Sequence, residues 1–293
     1  MDGALYVNIG TLGIAGVGLI GGSIGLAVKH RGLASKVIGI GRNRERLDMA
    51  IGTGAIDEYS LDFLDAAERC DTLYLAAPVL TIIEQLRVLQ NVKSNLLVSD
   101  GGSTKGEIVR AADGLPANVK FVGGHPMAGS EENGVEAASA NLYSGATYAL
   151  TPTNQTDPDA LKTVCAFAEA IGSDVVIIGA DEHDRAVAAT SHLPHIIAGA
   201  FLQTAETASI QVHRMAAGSF RDITRVSESP PALWRDICIT NKAAILSALI
   251  DFKESLSAVE QFLHSEDLDS LEKWFAKGKE IHRTFHQGKG RTS

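Results

Sequence analysis

The chain has 293 residues, 45% hydrophobic and 21% charged, and its 26 Lys and Arg against 35 Asp and Glu leave a net charge of −9. That is ample material for one or two domain cores and excludes wholesale disorder. The acidic balance lacks the electrostatic footprint of a general nucleic-acid binder, although a few local cations would still serve a small anionic substrate.

The three cysteines, Cys70, Cys165 and Cys238, lie far apart and form no CxxC pair. They read as buried small hydrophobes in a reducing compartment. No charge falls between Gly3 and Val28, a run long enough to span a bilayer. Its glycines, from Gly10 to Gly25, make poor helix, and Asp2 stands where a signal peptide would carry positive charge. The expectation is a soluble, cytoplasmic protein without a membrane segment.

Along the first 180 residues, apolar runs that read as strands recur at Thr11–Ala15, Val37–Gly41, Thr72–Ala77, Asn95–Asp100, Lys120–Gly123, Ala146–Leu150 and Asp174–Ile178. Helical patterns such as Ile20–His30, Leu80–Leu89 and Leu161–Ile171 separate most of them, which predicts a parallel sheet covered on both faces. From about Asp181 the pattern becomes long helical stretches, Asp184–Met215, Pro231–Leu263 and Leu268–His286, with Pro230-Pro231 separating two of them. The predicted architecture is an α/β dinucleotide-binding domain, residues 1–180, followed by an all-helical domain, residues 181–293.

Gly16-Val17-Gly18-Leu19-Ile20-Gly21 fits G-x-G-x-x-G between the first strand and the first helix. In that setting the glycines permit a tight turn, close approach of a pyrophosphate and close helix–strand packing, with the helix N-terminus facing the phosphate. A tight turn without a ligand is the plain alternative. After the second strand comes Gly41-Arg42-Asn43-Arg44, with no carboxylate to accept from a ribose 2′-hydroxyl. Arginines can grip a 2′-phosphate, so NADP is preferred over NAD unless these are ordinary solvated charges. The expected cofactor-binding positions are Gly16, Gly18, Leu19, Ile20 and Gly21, then Arg42, Asn43 and Arg44, then Ala77-Pro78.

Hydride chemistry also needs a proton acceptor. His125, in Gly123-Gly124-His125-Pro126-Met127-Ala128-Gly129-Ser130-Glu131, directly follows a strand and would face the ligand crevice. An ordinary pKa of about 6.5 suits a base near neutral pH, although Gly-Gly-His-Pro is also plausible turn chemistry. In Ser191-His192-Leu193-Pro194-His195, with Asp181, His183 and Asp184 upstream, the spacing does not give regular one-face metal geometry, and a pair of pocket donors is the better reading. No metal is expected. Arg221 and Arg225, four apart in Gly218–Arg225, could form an anion clamp or a structural pair.

Taken in order, these segments resemble the prephenate/arogenate dehydrogenase family of tyrosine biosynthesis. Val98-Ser99-Asp100-Gly101-Gly102-Ser103-Thr104-Lys105, His183-Asp184, Trp234-Arg235-Asp236 and Asn241-Lys242 extend the match to nearly the whole chain. The resemblance implies a Rossmann-like domain, a helical dimerisation domain and a homodimer. It implies His125 as the catalytic base on the ring C4 hydroxyl and Ser103 as orienting that histidine beside the nicotinamide. It also implies His192, Arg225 and Gly218 at the substrate, with Ser130 and Glu131 at the pocket mouth. Asp100 and Arg221 are given structural work. The arginine-bearing second strand looks like NADP-using members, often with arogenate. The end at Ser293 is expected to leave no room for an appended regulatory or chorismate mutase domain. Two rival readings are a β-hydroxyacid dehydrogenase or imine reductase, which would favour a lysine such as Lys242, and a non-catalytic NADP sensor.

Overall fold

The computed structural model of the chain describes residues 7–129, 132–208 and 211–288, with side chains as far as 285. Eight strands form one sheet: β1 (Thr11–Ala15), β2 (Lys36–Ile40), β3 (Glu58–Ser60), β4 (Thr72–Leu75), β5 (Leu96–Asp100), β6 (Val119–Pro126), β7 (Thr147–Thr151) and β8 (Asp174–Ile177). Their order is β3-β2-β1-β4-β5-β6-β7-β8. Strands β1 to β6 run parallel, and the order reverses between β1 and β4, which opens a crevice at their carboxyl ends.

The helices of this part are α1 (Leu19–Arg31), α2 (Arg44–Gly52), α3 (Phe63–Glu68), α4 (Val79–Val88), α5 (Gly106–Ala112) and α6 (Pro158–Ala170). Alternation along the strands feeds two cores. Leu12, Ile14 and Tyr74 pack with Val28 of α1 and Phe167 of α6. Ala15, Leu73 and Leu75 pack with Ala66 of α3, Ile82 and Leu86 of α4 and Ile108 of α5. Successive residues of a strand point to opposite faces, so each face receives its own apolar set.

The expected all-parallel sheet needs one correction. Strand β7 is antiparallel to β6, with His125 opposite Ala149. A parallel neighbour needs a long crossover, usually a helix; residues 132–146 carry turns instead, at Gly134 and Gly145 among others. The ladder to β7 also carries β6 through Pro126, so His125 lies within the strand and not just past it. Strand β3 was not foreseen, because Glu58-Tyr59-Ser60 has neither length nor an apolar run.

After the sheet come α7 (Ala180–Val187), a π-helical turn (Ala188–His192), α8 (Leu193–Ala208), α9 (Val212–Met215), α10 (Gly218–Thr224), α11 (Pro231–Thr240), α12 (Lys242–His264) and α13 (Leu268–Gly288). The single stretch expected over Asp184–Met215 is therefore interrupted. Pro194 has no N–H for the carbonyl four residues back, and its ring crowds that carbonyl, so the helix widens just ahead of it. The stretch Pro231–Leu263 breaks at Asn241, whose φ of −118° and ψ of 30° leave the helical region. Of the cysteines only Cys70 is buried; Cys165 and Cys238 are half-buried. Both sit on helices with one face to solvent, which spacing between cysteines does not reveal.

The chain divides into two compact units, Met1–Ala244 and Ile245–Ser293. The second consists of most of α12 together with α13, and it exposes Leu246, Ile250, Leu263, Phe275 and Phe285. Among the described residues no helix is long and apolar enough to cross a membrane.

Candidate active site

The glycine loop follows β1. Gly16 has a φ of +99°, and a Cβ there would lie 2.7 Å from the Ala76 carbonyl oxygen. A Cβ on Gly21 would lie 2.0 Å from the Gly16 carbonyl oxygen, so helix and turn touch. At Gly18, by contrast, nothing lies within 4 Å of where a Cβ would stand. Gly18 caps α1 with no side chain on its amides, and the first turn, beginning at Leu19 and Ile20, carries no acidic residue. Closed at Gly16 and Gly21, open at Gly18, with free amides beyond: these residues fit a dinucleotide pyrophosphate.

Ala77 and Pro78 lie in the loop after β4, and Pro78 is the N-cap of α4. Arg42, Asn43 and Arg44 follow β2 and are exposed. Asn43 spends its side-chain oxygen on capping α2, accepting from the Arg46 amide at 3.0 Å.

At the ends of β5 and β6, Asp100 and Lys105 are fully buried and paired. Asp100 accepts from the amides of Gly102 (2.8 Å) and Gly124 (3.0 Å), and Lys105 Nζ also donates to the Gly124 carbonyl at 2.5 Å. Burial lowers the Lys105 pKa against the pull of Asp100. This clamp fixes the backbone just before His125.

His125 Nδ1 lies 2.9 Å from His183 Nε2, with the rings edge-to-face at 67°. His183 Nδ1 lies 2.9 Å from Asp184 Oδ1. Asp184 accepts from the amides of Lys105 (2.7 Å) and Gly106 (2.9 Å). Burial pushes its carboxyl up, but hydrogen bonds from His183, Lys105 and Gly106 outweigh that and hold its pKa below the ordinary value. Burial holds His125 well below 6.5, reinforced by the imidazoles of His183 and His192 and the Lys105 cation around it, so the imidazole is neutral.

His192 ends the π-helical turn and is 1% exposed. The Asn241 amide nitrogen donates to the Asp184 carbonyl oxygen at 2.7 Å and faces His192 Nδ1 at 3.1 Å. Because that nitrogen is only a donor, His192 carries its proton on Nε2. Burial lowers its pKa to about 4. Thr104 and Thr240 share a hydroxyl hydrogen bond of 2.9 Å that ties the β5 loop to α11.

One helical turn further, His195 stacks on Trp234 at 3.7 Å. Burial lowers the His195 pKa, with a further contribution from the guanidinium of Arg225. Arg225 itself is exposed, as are Arg221 and Gly218, the first residue of α10. Ser103 is half-buried in the loop after β5; the neighbour on His125 Nδ1 is His183. Ser130 and Glu131 lie outside the described residues. Lys242 is exposed, while the adjacent Asn241 is buried.

The structure thus gathers His125, His192 and the glycine-loop edge in one unit, and it adds His183, Asp184, Lys105 and Asn241, to which sequence reasoning gave no part in the chemistry. Asn241 is signalled as a polar residue between the apolar runs of α11 and α12, whereas His183 and Asp184 sit in a largely polar helix and Lys105 in a loop, where local pattern gives no signal.

A dinucleotide-binding sheet with a neutral histidine at its carboxyl edge defines an NAD(P)-dependent dehydrogenase. Residues 24–177 match the prephenate dehydrogenase nucleotide-binding domain, and residues 179–277 match the prephenate dehydrogenase dimerization domain. The chain is 37% identical over 277 residues to prephenate dehydrogenase of Bacillus subtilis (strain 168), covering 92% of this chain and 74% of that protein. It is 32% identical over 274 residues to cyclohexadienyl dehydrogenase of Zymomonas mobilis, covering 92% and 93%. The crystal structure of A. aeolicus prephenate dehydrogenase with hydroxyphenyl propionate and NAD+ superposes with a TM-score of 0.89 at 32% identity, over 95% of this chain and 99% of that one. The chain belongs to the prephenate dehydrogenase family.

Proposed function

We propose that this chain oxidatively decarboxylates prephenate, arogenate or both, with NADP preferred over NAD. The observation that carries the proposal is the neutral imidazole of His125, held at the carboxyl edge of the sheet whose glycine loop is open at Gly18. A nicotinamide dinucleotide held at the glycine loop would supply the acceptor for hydride from C4 of the cyclohexadiene ring. His125 accepts the C4 hydroxyl proton as the carbonyl forms. Loss of carbon dioxide from C1 then yields 4-hydroxyphenylpyruvate from prephenate or tyrosine from arogenate. Aromatisation drives the reaction, so the protein has mainly to position the partners and supply one base.

His192 offers its Nε2–H to the substrate, and Arg225 a guanidinium to a carboxylate. Ser103 is assigned a place beside the nicotinamide, and Gly218, Ser130 and Glu131 places along the substrate pocket. Exposed Arg42 and Arg44, with no carboxylate at residues 41–44 after β2, favour the 2′-phosphate of NADP. We also propose residues 1–180 and 181–293 as the functional domains, a division supported by the abutting family matches. A cytoplasmic homodimer would cover the exposed apolar side chains of α12 and α13.

The test is purified protein with prephenate or arogenate, each with NAD and with NADP, followed by absorbance of the reduced nicotinamide. Turnover in at least one pairing, faster with NADP, is expected; none in any pairing overturns the proposal. Arg225→Ala should raise the substrate KM about 10- to 100-fold, as loss of a charge-assisted pair implies, with cofactor KM unchanged. An unchanged substrate KM removes Arg225 from the clamp.

A further inference from the structure

The hydrogen bonds behind His125 form a chain whose proton positions follow from one end. Asp184 is anchored by the amides of Lys105 and Gly106 and is held as a carboxylate. A carboxylate only accepts, so His183 donates from Nδ1 to Asp184 Oδ1 at 2.9 Å. Between His183 Nε2 and His125 Nδ1 one nitrogen must accept, and an imidazole that has placed its proton on Nδ1 offers Nε2 as that acceptor. His125 Nδ1, 2.9 Å from it, must be the protonated nitrogen of its own ring. His125 Nε2 is left as the free base.

We propose that His183 and Asp184 are positioning residues of a two-histidine relay, which fixes His125 in the Nδ1–H tautomer and shares the charge it acquires. For the identity of the base this rests on the function proposed above. When His125 Nε2 takes the substrate hydroxyl proton, the Nδ1 proton shifts along its hydrogen bond toward His183 Nε2. Positive charge then moves beside the Asp184 carboxylate, and no net proton or electron is gained beyond the one taken from substrate. A carboxylate that orients an imidazole and stabilises the imidazolium is a known route to strong bases; here a second imidazole stands between the two. The same aspartate reaches the substrate side as well, since its carbonyl oxygen accepts from the Asn241 amide that sets the His192 tautomer.

Selective 15N-labelling of histidine and long-range 1H–15N correlation read the tautomer directly in the full-length protein without substrate. His125 resonances are assigned by their loss in His125→Asn, and those of His183 by their loss in His183→Gln. Nδ1–H is expected for both rings, and a predominant Nε2–H form of His125 overturns the relay. Kinetically, His183→Leu removes the acceptor and should lower kcat about 100-fold with substrate KM and cofactor affinity within about twofold. His183→Gln presents a side-chain oxygen to His125 Nδ1 and should restore kcat to within about tenfold of wild type. Equal losses in the two variants, or none in either, count against the relay. If His183→Leu does not fold, the wild-type tautomer still decides. Absence of turnover on any cyclohexadiene would sink the proposed function, while the spectrum would judge the relay separately.

Discussion

Replacing His125 by asparagine is expected to lower kcat by about 10²- to 10⁴-fold, the usual worth of a positioned general base, and to leave the substrate KM within a few-fold. Asparagine keeps much of the volume and a donor toward His183 but has no nitrogen that accepts a proton near neutral pH. The pH profile checks the same claim in the wild-type enzyme. A base must be neutral to act, and burial holds the His125 pKa well below 6.5. The groups facing it add to that: His183 from α7, Lys105 from the loop after β5 and His192 from the π-helical turn. Its kcat/KM should therefore stay flat from neutral pH downward and fall only as the pH passes that depressed value. A midpoint at or above 6.5, or near-normal turnover in His125→Asn, would refute the assignment. The measurement must stay within the folded range, because His192 makes the fold acid-sensitive. Unfolded, that ring takes a proton near 6.5; folded, it refuses one until about 4. Stability is complete above 6.5 and is lost as pH falls from there to about 4, by roughly 3 kcal/mol from this residue.

Much of the sheet could be read from the residues because each strand is a short apolar run closed by glycine or a polar turn. Thr11–Ala15 is found as expected, and the others shift by a residue or a few. The antiparallel β7 was missed although the sequence carries its cause, the lack of a helical pattern between β6 and β7. The helical half was harder. Apolar periodicity continues through residues 188–192 and Asn241, but the regular α-helix does not, and both interruptions serve the site: one ends at His192, the other turns an amide onto it. The glycine loop and His125 were legible from local spacing. The partnership of His125 with His183 was not, since 58 residues separate them and only the β7 to α7 path brings them together. The resemblance placed Ser103 beside His125, whereas His183 was noted only upstream of Ser191–His195, so nothing local joined it to the base.

Lys105→Met should destabilise the protein by about 3–5 kcal/mol, the cost of stranding one member of a buried ion pair. Both side chains of the pair are fully buried. Methionine matches the stem of lysine and opens little cavity, so the loss reports charge and hydrogen bonding. Asp100 would keep the amides of Gly102 and Gly124 but lose its cation, and the Gly124 carbonyl would lose the donor that pins the strand ahead of His125. In a chain of this length such a change lowers Tm by about 10 °C. A loss below about 1 kcal/mol at neutral pH would mean that the pair does not hold the ends of β5 and β6 together.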